Sequence, residues 1–231
     1  MEEVTIKINK TVLFVVAALI IGVGLGYGGS SFLGKNTSAN PPDAPQIVGD
    51  NKPPAPDVKL EKDDHIIGAS NPKAVIITYT DFECPYCGNL HTTMQKVLQN
   101  YGNKVALAYR HYPLSFHANA EIAAQASECA AEQGKFWEYA DVLFQKTGTE
   151  KAFFPSNLEK YAADLGLGAS FNTCLRSKKY ADEVQSDLAE GSGYGVQGTP
   201  GSFLIDKNGN VTIISGALPY ESIKASIDSV L

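Results

Sequence analysis

Two cysteines three positions apart, Cys84 and Cys87, enclose Pro85 and Tyr86. Thiols at this spacing suit reversible dithiol/disulfide exchange, half of a zinc or copper site, or a structural bridge. The flanking sequence favours exchange. Residues 74–80 (AVIITYT) are a short, apolar, β-branched run, and after Cys87 the residues Leu90, Met94, Val97 and Leu98 recur at helical spacing. The pair therefore falls at a strand-to-helix junction, with Cys84 at the helix start. Unpaired N–H groups and the positive end of the helix dipole stabilise a thiolate there. An ordinary thiol with pKa about 8.5 is only about 3% ionised at pH 7, whereas one below about 6 is mostly thiolate. Pro85 fits the first helical turn, where its missing N–H is not needed. Cys84 is thus the expected nucleophile, and Cys87, on the same helical face, the resolving thiol. Zinc would want a second spaced pair of donors. Cys129 and Cys174 do not form one, and His91, one turn beyond Cys87, reads as a surface residue.

The elements that must position this pair follow from periodicity. Residues 105–111 (VALAYRH) read as a second strand, so strand, helix and strand make a βαβ unit with parallel pairing. Ala118 to Lys146 reads as one long helical stretch, with a polar lapse at Gln133 on its apolar face. Shorter helices are expected at 156–165, 169–177 and 179–190, a hairpin at 202–205 and 211–214 around Asn208-Gly209, and a last helix at 220–231. Asp206, Asn208 and Asn210 mimic the start of a calcium loop. Val211 at its sixth position and Ala217 at its twelfth exclude it.

The chain has 231 residues, 44% hydrophobic, with a formal net charge of −6. That suffices for one packed domain and argues against nucleic-acid binding, which needs a basic footprint. No charge interrupts residues 11–34; as a helix they span about 36 Å against a hydrocarbon core of about 30 Å. Residues 1–33 are therefore read as a short cytoplasmic tail and an uncleaved transmembrane anchor, in preference to a cleaved signal peptide. Lys7 and Lys10 ahead of the span place the N-terminus in the cytoplasm and the remainder outside it. Gly24, Gly26 and Gly29 match a dinucleotide fingerprint but follow no strand. Residues 34–63 hold Pro41, Pro42, Pro45, Pro53, Pro54 and Pro56 and no aromatic residue, and read as a disordered, extended linker. The folded domain is expected over 64–231.

Within that domain a resemblance becomes specific. The block Asp81-Phe82-Glu83-Cys84-Pro85-Tyr86-Cys87-Gly88, the run Arg110-His111-Tyr112-Pro113-Leu114, then His117, Cys129-Ala130, Gly134-Lys135-Phe136-Trp137 and Gly198-Thr199-Pro200 resemble the DsbA-like thiol:disulfide oxidoreductases. The resemblance implies an α/β thioredoxin fold with an all-helical insertion at about 115–192. It also implies that Pro200 is a cis proline facing the cysteine pair, which turns the Thr199 backbone outward to pair with a substrate chain. Pro85 and Tyr86 between the cysteines would tune the redox couple. Two departures stand out. Thr78 holds the position six residues before the first cysteine where thioredoxin-like proteins commonly carry a buried acid, leaving Asp81 or Glu83 as substitutes. Tyr86 replaces a histidine of the best-known oxidases, which removes a positive charge and suggests a weaker oxidant.

Cys129 and Cys174 both fall in the helical insertion. A structural disulfide between them is expected in an oxidising compartment, two free buried thiols or a second redox pair being the alternatives. The expected function is extracytoplasmic disulfide formation in reduced or unfolded exported proteins. The electrons reside on sulfur, so no cofactor or metal is required. The resemblance implies reoxidation by a quinone-linked membrane partner of the DsbB or VKOR type. A reductase or isomerase using the same residues, or a copper or zinc metallochaperone, are the rival readings.

Overall fold

The computed structural model describes residues 56–231. Five strands, β1 (His65–Gly68), β2 (Ala74–Thr80), β3 (Val105–His111), β4 (Gly201–Asp206) and β5 (Val211–Ser215), form one sheet in the order β1-β3-β2-β4-β5. β2 and β3 pair in parallel, and every other pairing is antiparallel. The expected βαβ unit is closed by α1 (Pro85–Tyr101), whose buried Cys87, Leu90, Met94 and Val97 track one face. That face packs on Ile76, Leu107 and Leu204, together with Ile223 and Ile227 of α7 (Tyr220–Asp228). The helix ends at Gly102, whose φ of 50° a glycine adopts without strain, and whose N–H caps the Leu98 carbonyl.

Between β3 and β4 lie five helices, α2 (Ala120–Ala131), α3 (Phe136–Lys146), α4 (Pro155–Asp164), α5 (Ala169–Ser177) and α6 (Ala181–Gly193). The single long helix expected over 118–146 is two. Gly134 takes a φ of 69°, and the N–H groups of Gln133 and Lys135 both return to the Ala130 carbonyl, so the chain turns where the apolar face lapses. Cys129 of α2 and Cys174 of α5 are joined by a disulfide with Cα atoms 5.8 Å apart, inside an apolar cluster that includes Tyr139, Leu143, Leu158 and Phe171. α6 covers the sheet face opposite α1. At Gly191 a Cβ would fall 2.7 Å from the Tyr79 ring, so only glycine permits this approach.

The edge strand β1 was not anticipated; four residues, HIIG, give too short a pattern to read. Contacts of the domain also begin earlier than composition suggests. Val58 is buried with Ile77, Tyr79, Ala108 and Phe203. The Lys59 carbonyl accepts a 2.7 Å hydrogen bond from Arg110, so ordered chain reaches into the segment read as linker. Among the described residues no helix is long and apolar enough to cross a membrane. The anchor read over 1–33 and the linker up to residue 55 lie outside the described residues.

Candidate active site

Cys84 is the N-cap of α1, in extended conformation, with Pro85 in the first turn. Both Cys84 and Cys87 are free thiols, 4% and 1% exposed. The Thr199–Pro200 peptide is cis, and the Thr199 carbonyl lies 3.5 Å from the Cys84 sulfur, which donates to it when protonated. A groove of about 330 Å³ runs past Thr199 and Pro200 between Tyr194 and the β5 residues Ile213 and Ile214. Tyr86 stands 65% exposed beside the pair, and Phe116 76% exposed.

The two thiols differ sharply in acidity. A hydrogen bond from the Cys87 thiol is the main cause that lowers Cys84 to about 5, against burial; the Thr199 hydroxyl and the backbone N–H groups of Cys87 and Tyr86 add to it. That hydroxyl is buried and has no hydrogen-bond partner of normal geometry, which leaves it free to turn toward the Cys84 sulfur. Cys87 moves the opposite way, pushed far up by burial and then by its own bond to Cys84. One sulfur is a thiolate near neutrality while the other holds its proton. This arrangement is chemically suited to thiol–disulfide exchange, with an acidic sulfur at the helix start and a protonated one behind it.

Neither neighbouring acid acts as a free carboxylate at the pair. Asp81 is 2% exposed and accepts the Glu83 N–H at 2.7 Å, the Leu114 N–H at 2.8 Å and His117 Nδ1 at 2.8 Å. Its own backbone N–H reaches the Cys87 sulfur at 3.4 Å. Glu83 accepts the Asn119 N–H at 2.7 Å, at the start of α2. The two acids pin the 112–119 loop against the redox pair. Thr78 accepts a hydrogen bond from Ser202 at 3.1 Å.

His91, read from sequence as a surface residue, is instead half-buried. Its Nε2 donates to Asp141 at 2.6 Å, and its ring stacks on Phe144 with centroids 4.5 Å apart. The residue lies four positions beyond Cys87, hence on the same helical face, a spacing that marked it for this position from the start.

Two further networks escaped the sequence reading. Arg110 is buried with every donor used: Asp64 bidentately at 2.7 and 2.9 Å, Tyr79 at 2.9 Å, Glu190 at 2.8 Å and the Lys59 carbonyl. Glu128, 2% exposed, joins His65 and His111 at 2.8 and 2.7 Å, and Asp187 accepts the His111 N–H. Arg110, His111 and Cys129 were visible as a resemblance pattern, but only the fold shows that the first two are buried ion-pair partners.

Fold and dithiol together are those of a thiol–disulfide oxidoreductase, and the chain belongs to the thioredoxin family, whose model matches residues 60–229. Solved structures carry the expected DsbA-like resemblance at the level of fold. Wolbachia pipientis alpha-DsbA1 is 20% identical with a TM-score of 0.64, over 74% of this chain and 92% of that one. Pseudomonas aeruginosa DsbA2 is 22% identical with a TM-score of 0.63, over 75% and 97%. In sequence, a Na(+)/H(+) antiporter NhaA 3 of Salinispora tropica is 35% identical over 143 residues, 61% of this chain and 21% of that protein. The chain spans about a fifth to a quarter of the length of such curated relatives.

Proposed function

We propose that this protein is a membrane-tethered, extracytoplasmic oxidase that introduces disulfides into exported polypeptides. The observation that carries the reading is the split between the paired thiols, with Cys84 drawn down to about 5 and Cys87 pushed up. A stabilised thiolate in the reduced form makes the disulfide a better oxidant. A substrate thiolate attacks Cys84 in the oxidised protein, and Cys87 leaves. A second substrate thiol then attacks the mixed disulfide, releasing oxidised substrate and reduced enzyme. The groove beside Thr199 and Pro200 and the exposed rings of Tyr86 and Phe116 suit an unfolded chain, which presents backbone and apolar side chains together.

The membrane location rests on the charge-free stretch 11–34. It gains support from relatives named as antiporters, which exchange ions across a membrane. Reoxidation would then fall to a quinone-linked membrane partner of the DsbB or VKOR type. The rival direction, reduction or isomerisation, draws on Tyr86, a neutral ring where a cation would strengthen the oxidant.

Equilibration with glutathione decides the direction. A potential near about −120 mV supports the oxidase, and one near about −270 mV overturns it in favour of a reductase. Trapping on a Cys87→Ala variant should capture exported cysteine-containing proteins; capture of cytoplasmic ones alone would overturn the assigned location.

A further inference from the structure

Behind Cys87 lies a cavity of about 40 Å³, walled by Thr78, Thr80, Leu90, His91, Tyr109 and Trp137 together with the Cys87 side chain. A water requires about 10–15 Å³ by the same measure, and two to four polar partners. Tyr109 lines this wall, and its hydroxyl is buried without a hydrogen-bond partner. Thr78, in the position of the usual buried acid, cannot titrate. Burial holds Tyr109 well above its usual value, with the negative charge of Cys87 adding to the rise, so its phenol can relay a proton but is no base at neutral pH.

Among the described residues that line this cavity, His91 alone carries a nitrogen that is basic near neutrality. Its Nε2 donates to Asp141, which leaves Nδ1 as the lone-pair nitrogen. Asp141 also accepts the Gln95 amide at 3.1 Å, and its side chain is 43% exposed, linking the imidazole to solvent. The groups facing His91 are Cys87 and Gln95 from α1, Thr78 and Thr80 from β2, Tyr109 from β3, and Trp137, Asp141 and Phe144 from α3. Of these, Cys87, Tyr109 and Asp141 titrate.

We propose that His91 accepts and returns the thiol proton of Cys87 across this cavity, in place of the carboxylic acid that Thr78 displaces. The inference rests on the thiol-exchange reading above. In resolution, the Cys87 proton passes to His91 Nδ1 through one water in the cavity, as the Cys87 sulfur attacks Cys84 in the mixed disulfide. The Cys84–Cys87 bond forms and the bond from Cys84 to the substrate sulfur breaks. That sulfur departs with the electron pair and takes a proton from solvent. When substrate is oxidised, the steps reverse: Cys87 leaves with the electron pair as His91 takes up a proton from solvent on the Asp141 side and passes it to the Cys87 sulfur. Burial lowers the His91 pKa against the opposing pull of Asp141, so the ring is neutral and able to accept at pH 7.

The test mixes reduced full-length protein in detergent with glutathione disulfide. It follows the fluorescence of Trp137, the chain's single tryptophan, together with bound glutathione in quenched samples. A bimolecular phase forms the Cys84–glutathione mixed disulfide, and a unimolecular phase releases glutathione through Cys87. His91→Gln should leave the first phase within about twofold and slow the second about 10-fold or more at pH 7, erasing its histidine inflection. Asp141→Asn, at a part-exposed position, should keep that inflection but move it to lower pH, and it carries the test alone if His91→Gln does not fold. A second phase with wild-type rate and pH profile in the folded variants overturns the proposal. So does a slowed phase whose inflection persists in His91→Gln, which would make the ring a packing element. A wild-type protein that forms no mixed disulfide overturns the exchange reading itself, a result distinct from both.

Discussion

The Cys84 thiol meets the carbonyl oxygen of Thr199, 115 residues further along the chain, at 3.5 Å. Cys84 starts a helix, and Thr199 precedes a cis proline at the start of an antiparallel strand. Their meeting sets a nucleophilic sulfur against the backbone beside the groove, and it brings the Thr199 hydroxyl to bear on the thiolate.

Ultraviolet titration of the reduced protein should give a Cys84 midpoint near about 5, far below an ordinary thiol at about 8.5. A depressed folded pKa stabilises the fold above the unfolded value, and that contribution is lost as pH falls through about 5. The oxidised protein lacks this thiol. Melting of the two forms should therefore show the reduced form losing ground to the oxidised one as pH drops from about 8 to about 5. Cys87, raised by burial, works in the other direction only at pH above the ordinary thiol range. A pH-independent gap between the two melting temperatures would contradict the acidic thiol.

Replacing Cys129 and Cys174 together by alanine removes a link of sequence separation 45. Loop closure of this length stabilises by about 4 kcal/mol, so chemical denaturation should show a loss of that order while exchange at Cys84 persists. Lost exchange with unchanged stability would instead make the pair a second redox centre.

Arg110→Leu should destabilise the domain by about 3–5 kcal/mol, because it strands the carboxylates of Asp64 and Glu190. It also frees the Lys59 carbonyl, so limited proteolysis should cut more readily around Lys59 and Lys62. A loss below about 1 kcal/mol would class the network with solvated surface pairs.

Burial, then the charge of Glu128, raises Glu183 to about 7, and burial raises Asp187 to about 6. Burial would lower His111, but its bond to Glu128 prevails and raises it. Raised folded values give stability that is present at low pH and lost as pH climbs through them. Glu128 is opposite in sign: despite burial, His111 and His65 hold it at about 2, and its contribution disappears only in stronger acid. The oxidised protein should melt highest near about pH 5 and lower at about pH 8, and Glu183→Gln should flatten that slope. An unchanged slope in Glu183→Gln would remove Glu183 from the account.

Local chemistry was legible where sequence periodicity and helix-end physics act over a few residues. β2, β3 and α1 fall on the runs read for them, because β-branched alternatives and a four-residue apolar spacing fix strand and helix without distant help. The break between α2 and α3 was hidden, since an alanine-rich stretch supports one helix or two, and Gly134 decides only once the insertion must pack on itself. β1 was hidden because a four-residue edge strand takes its register from β3 rather than from its own pattern.

The sequence by itself determined the reactive pair, its place at a helix start and the strand–helix–strand unit around it, all consequences of neighbours in the chain. Only the tertiary structure decided what surrounds the pair. It tied Asp81 and Glu83 to the 112–119 loop, set His91 in the wall of one cavity with Cys87 and against Asp141, and buried Arg110 among four partners. The reason is physical. Acidity, proton paths and buried charge depend on desolvation and on contacts between residues far apart in the chain, such as Tyr79 and Glu190, 111 positions apart, and no local pattern records those distances.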